Sequence, residues 1–214
     1  MSTIQTSTLA PGTGKAQPGG RPRSEASRLS LLETAYALMK KQPVNAISTQ
    51  EIASKAGVST ATVYRWWPTK EALLLDAFLH IKEKEVPFPE HGTPLERMHD
   101  HAISSAKFLG GEDGRVAARM IAAIQDDDKL REAFTEKLYL PQSNRMLQVG
   151  QEAVAAGELP PGTDVRFLCD MFFGSCLVRI LMRHERVEQA DAERAFDLAV
   201  AGAWAYWRGD RATR

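Results

Sequence analysis

The chain of 214 residues is 43% hydrophobic and 25% charged, a balance typical of a globular protein with one large or two modest domains. Residues 1–70 contain nine Lys or Arg against three Asp or Glu, whereas the whole chain carries 27 of each charge, so the N-terminal third is basic and the remainder acidic. This asymmetry indicates that one part binds nucleic acid and the other does not. The neutral net charge is therefore compatible with DNA binding.

The composition also excludes a secreted or membrane protein. The N-terminus is rich in Ser, Thr, Gly and Pro and lacks the apolar run of a signal peptide. The longest apolar stretch, 167–182, is shorter than a membrane span and contains Asp170 and Arg179. The two cysteines, Cys169 and Cys176, are about two helical turns apart, too far for a mutual disulfide. We therefore expect a cytoplasmic, nucleoid-associated protein.

The first 22 residues have few large apolar side chains and many helix breakers, which predicts a disordered basic arm. The tetrapeptide Gly20–Arg21–Pro22–Arg23 resembles the core of an AT-hook, so Arg21 and Arg23 are candidates for contacts in a narrow minor groove. The alternative is a charged, solvated tail.

A first helix follows from Ser24 to near Lys41, before Pro43, because its apolar residues recur at helical spacing. This helix covers the apolar faces of two shorter helices and completes a helix-turn-helix domain over 23–68. The apolar residues are Leu29, Leu32, Ala35, Tyr36 and Met39.

The stretch STQEIASKAGVSTATVYRWW (48–67) predicts those two helices and a tight turn between them. Ser48 and Glu51 have the spacing of a capping box, Gly57 suits a helix C-terminus, and Ser59 caps the second helix. Two helices around such a turn form a helix-turn-helix, in which the second helix enters the DNA major groove. The alternative is an ordinary helical hairpin with solvated polar faces.

The outward residues of this motif divide by chemistry into two groups. Contacts with base edges are predicted for Gln50, Thr60, Ala61 and Arg65. Contacts with phosphates are predicted for Thr49, Ser59, Thr62, Tyr64, Trp66 and Lys70. Trp67 follows inward Val63 by four residues and is assigned to the core.

The segment IASKAGVSTATVYRWWPTKEALL (52–74) resembles the DNA-binding region of TetR-family transcriptional regulators. Its most specific part is Lys70-Glu71-Ala72-Leu73 after Tyr64-Arg65-Trp66-Trp67. Ala61 departs from a frequent glycine, and the Trp-Trp pair from a frequent His or Tyr followed by Phe. The resemblance implies a repressor that binds a double-stranded DNA operator, and a fourth helix that links the DNA-binding domain to the rest.

Beyond this motif, Thr69 is predicted to cap a connecting helix over 69–86. The Pro-rich segment 86–94 marks a domain boundary. An effector-binding and dimerisation domain is expected over 87–208, followed by a tail at 209–214. Helices are predicted over 95–109, 114–125, 129–157 with a break near Pro141, 164–184 and 189–207. No segment shows the strict alternation of apolar and polar residues that is typical of a half-buried strand. The expected fold is all-α, with about nine helices.

The penultimate helix is apolar on nearly every side, so it needs cover from more than one layer of helices. The last helix is amphipathic, with one broad apolar side that can pack against another helix. The resemblance implies a homodimer joined by the last two helices of each subunit. The alternative is the central helix of a monomeric bundle. The predicted interface residues are Phe173, Leu177, Ile180, Leu181, Phe196, Val200, Ala203 and Trp204.

Large, adaptable side chains between 95 and 157 are candidates to line a pocket for a small-molecule effector, which the resemblance places against the penultimate helix. Polar candidates are sparse (Gln125, His101, Tyr139 and Arg145), so a mainly hydrophobic effector is expected. The alternative is that these residues fill the core. The predicted pocket residues are Met98, His101, Phe108, Met120, Ile124, Phe134, Leu138, Tyr139, Phe172 and Phe173.

Catalytic and cofactor motifs are absent from the sequence, and neither a catalytic residue nor a cofactor is predicted. Glu96, His99, Asp100 and His101 have a spacing that makes a metal site conceivable, but no second cluster supplies further ligands. The hypothesis of a dimeric, ligand-responsive transcriptional regulator therefore stands against that of a helical metal-dependent hydrolase. Specific retention of DNA at moderate salt separates them.

Overall fold

The computed structural model describes residues 21–209, and side chains from residue 25 onward. In these residues all regular structure is helical, which confirms the expected all-α fold. Most of the predicted basic arm and the tail beyond residue 209 lie outside the described residues. The side chains of Arg21 and Arg23, predicted to contact the minor groove, are not described either. The first helix begins at Arg21, within the stretch that the sequence assigned to the arm.

The helices follow the predicted order along the chain. They are α1 (Arg21–Lys41), α2 (Thr49–Lys55), α3 (Thr60–Trp66), α4 (Lys70–Glu85), α5 (Pro94–Gly110), α6 (Glu112–Asp126), α7 (Asp128–Phe134), α8 (Leu140–Ala155), α9 (Val165–Val178) and α10 (Gln189–Arg208). π-Helical turns continue α7 over Thr135–Tyr139 and α9 over Arg179–Arg183. Because α7 runs into α8 without interruption, the described residues form nine helical segments.

Helix starts agree closely with the cap signals in the sequence. The Thr69 side chain accepts a hydrogen bond from the backbone N–H of Ala72 at the start of α4. Thr93 and Glu96 form a reciprocal capping box at the start of α5. These side chains satisfy backbone N–H groups that have no partner within the helix, so the helix boundaries are local properties of the sequence.

The predicted break near Pro141 is wrong, because the chain stays helical there. Proline lacks an N–H and its ring collides with the carbonyl four residues earlier in a regular α-helix. The π-helical turn just before Pro141 relieves this conflict by widening the helix, and the Leu140 N–H donates to the carbonyl of Thr135, five residues back.

The first of two hydrophobic cores joins α1–α4 to α6 and α7. It includes Leu31, Trp67 and Leu74 from the N-terminal part together with Met120 and Leu130 from beyond the Pro-rich segment. Packing therefore continues across the sequence boundary at residues 86–94.

The second core is formed by α5, α8, α9 and α10, with Met98, Phe172 and Phe196 among its buried residues. Cys169 and Cys176 lie on α9 as free thiols, as their spacing predicted. Burial raises the pKa of the Cys169 thiol to about 11, which makes it unreactive at neutral pH.

Polar contacts tie the end of α1 to α6. The Tyr36 hydroxyl donates to Asp113 over 2.7 Å, and the same carboxylate lies 3.0 Å from the Lys40 ammonium. The Arg119 guanidinium donates to the carbonyl of Met39 in the last turn of α1, where carbonyls lack partners within the helix. The N-terminal helices thus rest on α6 through both apolar and charged contacts.

A close approach of α8 and α9 gives a first testable prediction. A Cβ atom at Gly150 would lie 2.2 Å from the Val165 Cγ1 atom. We expect Gly150→Ala to lower the free energy of unfolding by about 1–3 kcal/mol, as overpacking in a core does. Urea unfolding measures the effect.

The control is a double-mutant cycle with Val165→Ala, which removes the colliding methyl groups. The alanine at 150 should cost less in that background than in the wild type. An equal cost in both backgrounds would contradict the steric explanation.

Candidate functional site

The helix-turn-helix is built as its sequence signals predicted. Ser48 and Ser59 each accept a hydrogen bond from a backbone N–H three residues on, at the starts of α2 and α3. Gly57 ends the α2 segment with φ +69°, a left-handed conformation that costs glycine nothing. Glu51 differs from a full capping box, because its carboxylate accepts from the Gln42 amide over 2.8 Å.

The inner face of α3 is held by Val63 and by Trp67, which follows its last turn; both are buried, as predicted for Trp67. The Trp67 indole N–H donates to Asp76 of α4 over 2.8 Å. Asp76 in turn lies 3.2 Å from the Lys137 ammonium, which comes from the π-helical turn after α7. These contacts orient α3 against the helices that carry the rest of the chain.

The outer face of α3 is exposed and bears the side chains predicted to contact DNA. Arg65 is exposed, and no residue that the structure describes forms an ion pair with it. Tyr64 and Trp66 flank it, with Tyr64 54% exposed. On the same motif, Gln50, Ser59 and Ala61 are exposed, and Thr60 and Thr62 are partly exposed. A guanidinium, hydroxyl groups and a methyl group are thus brought onto one surface.

Two of the predicted phosphate contacts differ from the rest. Thr49 is only 7% exposed because it lies in the first turn of α2 against the core, so its side chain is not available on this surface. Lys70 is partly buried in the first turn of α4, and its ammonium lies 3.6 Å from Glu71. Of these two predicted phosphate contacts, Lys70 is therefore accessible on the surface and Thr49 is not.

The ten predicted pocket residues do not line one cavity. Phe108, Met120, Ile124 and Leu138 belong to the first core, where Phe134 also packs, whereas Met98, Phe172 and Phe173 belong to or border the second. Tyr139 is 48% exposed, and Gln125 is exposed with its amide bonded to the carbonyl of Ile121. The sequence showed which residues are large and apolar but not that two cores divide them.

His101 is the predicted pocket residue with an unusual environment. It is 4% exposed, and its ring stacks at a tilt on Phe88 with 4.6 Å between centroids. Burial, together with the smaller effects of the Lys82 and Arg145 charges, lowers its pKa to about 4. His101 is therefore neutral at pH 7.

A cleft of about 400 Å³ lies elsewhere, between the start of α5 and α10. Two of its three carboxylates are engaged locally, since Glu96 accepts from the Thr93 N–H and Glu158 from the Leu95 N–H, each over 2.8 Å. None of the ten predicted pocket residues lines it. The lining residues are Thr93, Leu95, Glu96, His99, Glu158, Phe196, Asp197, Val200 and Ala201.

The residues considered for a metal site do not converge. His99 contacts the adjacent Asp100 over 3.1 Å, Glu96 caps α5, and His101 is buried against Phe88. Within the part of the chain that the structure describes, no three His, Cys, Asp or Glu side chains are grouped to hold a metal ion. No helix among residues 21–209 is both long and apolar enough to cross a membrane.

An apolar stripe runs along α9 on the surface of the subunit. Phe167, Met171, Val178 and Met182 recur every four to seven residues, and Met182 is 76% exposed. On α10, Leu198, Tyr206 and Trp207 are exposed as well, although they do not share one helical face. The prediction from sequence missed all seven, although the helical spacing of the four on α9 was a signal that could have found them.

The predicted interface residues lie beside this stripe or beneath it. Phe196 is 4% exposed because it packs within the subunit against Phe172 and His99, so its assignment to an interface is wrong for this structure. The others are partly exposed. They are Phe173, Leu177, Ile180, Leu181, Val200, Ala203 and Trp204.

Comparison with known proteins agrees with this arrangement. Residues 31–77 match the family model described as bacterial regulatory proteins, tetR family, and residues 88–199 match the model described as tetracyclin repressor-like, C-terminal domain. The chain is similar to the HTH-type transcriptional regulator YdeS of Bacillus subtilis (strain 168). The identity is 30% over 171 residues, which are 80% of this chain and 86% of YdeS.

Solved structures share the fold. The TetR family transcription regulator SCO0332 is similar with a TM-score of 0.68 and 25% identity, covering 82% of this chain and 97% of that chain. The transcriptional regulator FadR of Bacillus subtilis, solved in complex with stearoyl-CoA, has a TM-score of 0.65 and 22% identity, covering 81% and 98%. The similarity to FadR concerns the fold alone.

The anchoring of α3 gives a second prediction. Trp67→Phe removes the indole N–H and leaves Asp76 with one partner fewer, so we expect a loss of about 1.5–3 kcal/mol in the free energy of unfolding, the usual range for a hydrogen bond to a charged group. Urea unfolding followed by circular dichroism at a single protein concentration measures it.

Trp66→Phe is the matched control, because it is the same substitution at the neighbouring, exposed position. It should change the free energy of unfolding by no more than about 0.5 kcal/mol. Equal losses for the two variants would show that the hydrogen bond to Asp76 does not hold α3 in place.

Proposed function

The chain belongs to the TetR family of DNA-binding transcriptional regulators, and from this premise we propose that it is a homodimeric repressor that a small effector releases from a palindromic operator. The observation that carries the proposal is the exposed outer face of α3, with Arg65 free of ion pairs to described residues between exposed Tyr64 and Trp66. A guanidinium left open on a short, anchored helix suits the edge of guanine in the major groove.

In this proposal Arg65 contacts guanine, Gln50 and Thr60 contact neighbouring base edges, and the Ala61 methyl packs on a thymine methyl. Phosphates are held by the remaining polar or aromatic side chains of the surface, which position the helix without selecting sequence. They are Ser59, Thr62, Tyr64, Trp66 and Lys70. The support is that all of these residues are at least partly exposed around the outer face of α3.

We infer that the dimer interface uses the apolar stripe of α9 together with exposed apolar residues of α10. Monomeric proteins seldom leave a row of large apolar side chains in contact with water. Gly174 and Gly202 lie on these helices, and a Cβ atom at either would meet no other atom of the subunit within 4 Å. A glycine inside a helix costs about 1 kcal/mol relative to alanine, and the close approach of a partner helix would explain both. Two subunits so joined present their α3 helices to half-sites about one turn of DNA apart.

Control by an effector is supported by the position of α4. This helix starts at Lys70 beside α3 and ends at Glu85 beside α5 and α8, so it connects the DNA-binding surface to the body. An effector that binds more tightly to the non-binding arrangement releases DNA, with a typical coupling of about 1–3 kcal/mol. FadR of Bacillus subtilis, which shares the fold, was solved with stearoyl-CoA, which supports a mainly hydrophobic effector here.

A third prediction tests the reading of DNA. Once an operator has been selected from random DNA, Arg65→Ala should lose about 1–3 kcal/mol of discrimination at one base pair because the guanidinium contact is removed there. Fluorescence anisotropy on single-base variants of the operator measures it.

Lys70→Ala is the comparison for a phosphate contact. It should weaken binding to all sequences alike and lower the slope of log affinity against log salt by about one. An equal loss on every sequence for Arg65→Ala would refute its assignment to a base.

A fourth prediction tests the dimer. Met171→Arg places a charge in the apolar stripe, where the side chain is already exposed in the subunit. The fold should therefore persist while the two subunits separate and operator binding falls. Size-exclusion chromatography with light scattering gives the mass.

Gln151→Arg, at an exposed position of α8, is the matched control and should remain dimeric. A monomeric wild type, or a dimeric Met171→Arg variant, would place the interface elsewhere.

A further inference from the structure

Two buried polar side chains on the inner face of α5 lack hydrogen-bond partners. His101 and Ser105 are each 4% exposed, and neither the His101 Nδ1 atom nor the Ser105 Oγ atom has a partner among the described residues. They are four residues apart and therefore adjacent on the helix. Nearly all buried polar groups in folded proteins are paired, so two neighbouring exceptions need an explanation.

Two cations, Lys82 and Arg145, lie near His101, and neither forms an ion pair with a carboxylate of the described residues. Lys82 of α4 donates to the Gln142 amide oxygen, and the Arg145 guanidinium of α8 lies 4.3 Å from the centroid of the Phe88 ring. That ring stacks on His101. No carboxylate in the described part of the chain forms an ion pair with Lys82 or Arg145.

Arg97, by contrast, is a nearby cation that has both an ion-pair partner and a hydrogen-bond acceptor. Its guanidinium also lies near Phe88, at 5.9 Å, but it is 3.2 Å from the Glu152 carboxylate and donates to the carbonyl of Pro89. Lys82 has no carboxylate within ion-pair distance, and burial lowers its pKa to about 8, although the charge of the adjacent Glu83 opposes the change. Lys82 still carries most of its charge at pH 7, so the fold holds a partly desolvated positive charge near His101, whose Nδ1 atom has no partner.

We propose that Lys82, His101, Ser105 and Arg145, here named the cationic cluster, bind the anionic head group of a small molecule with an apolar tail. A carboxylate or phosphate accepts several charge-assisted hydrogen bonds at once, and it supplies the partners that this cluster lacks. Burying a positive charge is costly without such a partner. The inference rests on the proposed function, because it assigns the chemistry of the effector.

The surroundings of the cluster fit a head group at the rim and a tail inside. Arg145 is exposed, Lys82 is partly exposed, and Ser105 is buried one turn deeper along α5. Met98 and Phe108 occupy the same face of α5 on either side of His101 and Ser105, in the second and first cores respectively. An apolar tail bound next to His101 and Ser105 would therefore contact these two side chains, of which the methionine is adaptable.

The cluster also joins the helices that regulation must move. Lys82 comes from α4, His101 and Ser105 from α5, and Arg145 from α8. An anion that contacts all three helices fixes the far end of α4 against the body, while the near end of α4 lies beside α3. Such a ligand binds one arrangement of α4 more tightly than another, which is the condition for releasing DNA.

The test measures binding of straight-chain carboxylates from hexanoate to dodecanoate to the purified full chain by isothermal titration calorimetry. Alcohols of the same chain lengths are the uncharged controls, and alkyl phosphates form a second arm. We expect at least one acid to bind about tenfold or more tightly than its alcohol, as charge-assisted hydrogen bonds require. Tighter binding of the alkyl phosphates would assign the head group as phosphate. Equal affinities for acids, phosphates and alcohols, or no binding by any, would overturn the inference.

Lys82→Met and Arg145→Met keep much of the aliphatic length and remove the charge, so each should weaken acid binding about tenfold or more. Lys84→Met is the matched control on the same helix, at an exposed position outside the cluster, and should bind the acid as the wild type does. If all three lysine and arginine variants bound equally, the cluster would not be the site.

Thermal unfolding without ligand distinguishes a binding site from a structural one. Because Ser105 has no partner in the subunit, Ser105→Ala should have a melting temperature equal to or above that of the wild type while binding the acid more weakly. A lower melting temperature with unchanged acid affinity would make the cluster structural and overturn the inference.

Operator binding is measured separately by mobility shift. Acid binding that depends on Lys82 but leaves the operator complex intact would support the site and overturn release by an effector. Retention of a specific operator by a protein that binds neither acids nor phosphates would overturn the site and leave the DNA-binding regulator in place.

Discussion

The structure depends on the burial of α4. Leu73, Leu74 and Leu75 are consecutive and all fully buried, which requires cover on more than half of the helix surface. That cover comes mainly from α1 and from α7, and α6 contributes to the same core, so one core contains both the DNA-binding helices and part of the body. The helix-turn-helix cannot tilt as a free domain. A change in its position moves α4 within a densely packed interior, where arrangements change as discrete repackings.

The polar contacts around this core reinforce the same constraint. Asp76 on α4 joins Trp67 next to α3 with Lys137 after α7, and Asp113 on α6 joins Tyr36 and Lys40 of α1. Asp76 has partners from two separate segments of the chain, and Asp113 holds two side chains of α1, so the position of α3 depends on groups far from it in sequence. The outer face of α3 is therefore presented by a rigid support, which the base-edge contacts that we propose for it require.

Two features depart from the usual distribution of polar and apolar groups. The apolar stripe of α9 lies in contact with water, and the cationic cluster holds unfilled polar atoms inside. Both lower the stability of an isolated subunit, and such local conflicts with folding rules are characteristic of functional sites. A partner subunit in the first case and an anion in the second are the groups we propose to complete them.

The sequence by itself determined the helices and their caps, because Ser48, Ser59, Thr69 and Gly57 act on backbone groups only a few residues away. It also determined the outward residues of α3, since helical periodicity separates them from Val63 and Trp67. It did not show that Thr49 is buried, that Phe196 packs inside the subunit while Met171 faces solvent, or that Pro141 is accommodated by a π-helical turn. Nor did it show that His101 of α5 lies near the charges of Lys82 of α4 and Arg145 of α8. These outcomes depend on which helices pack together, and residues far apart in sequence meet only through tertiary structure.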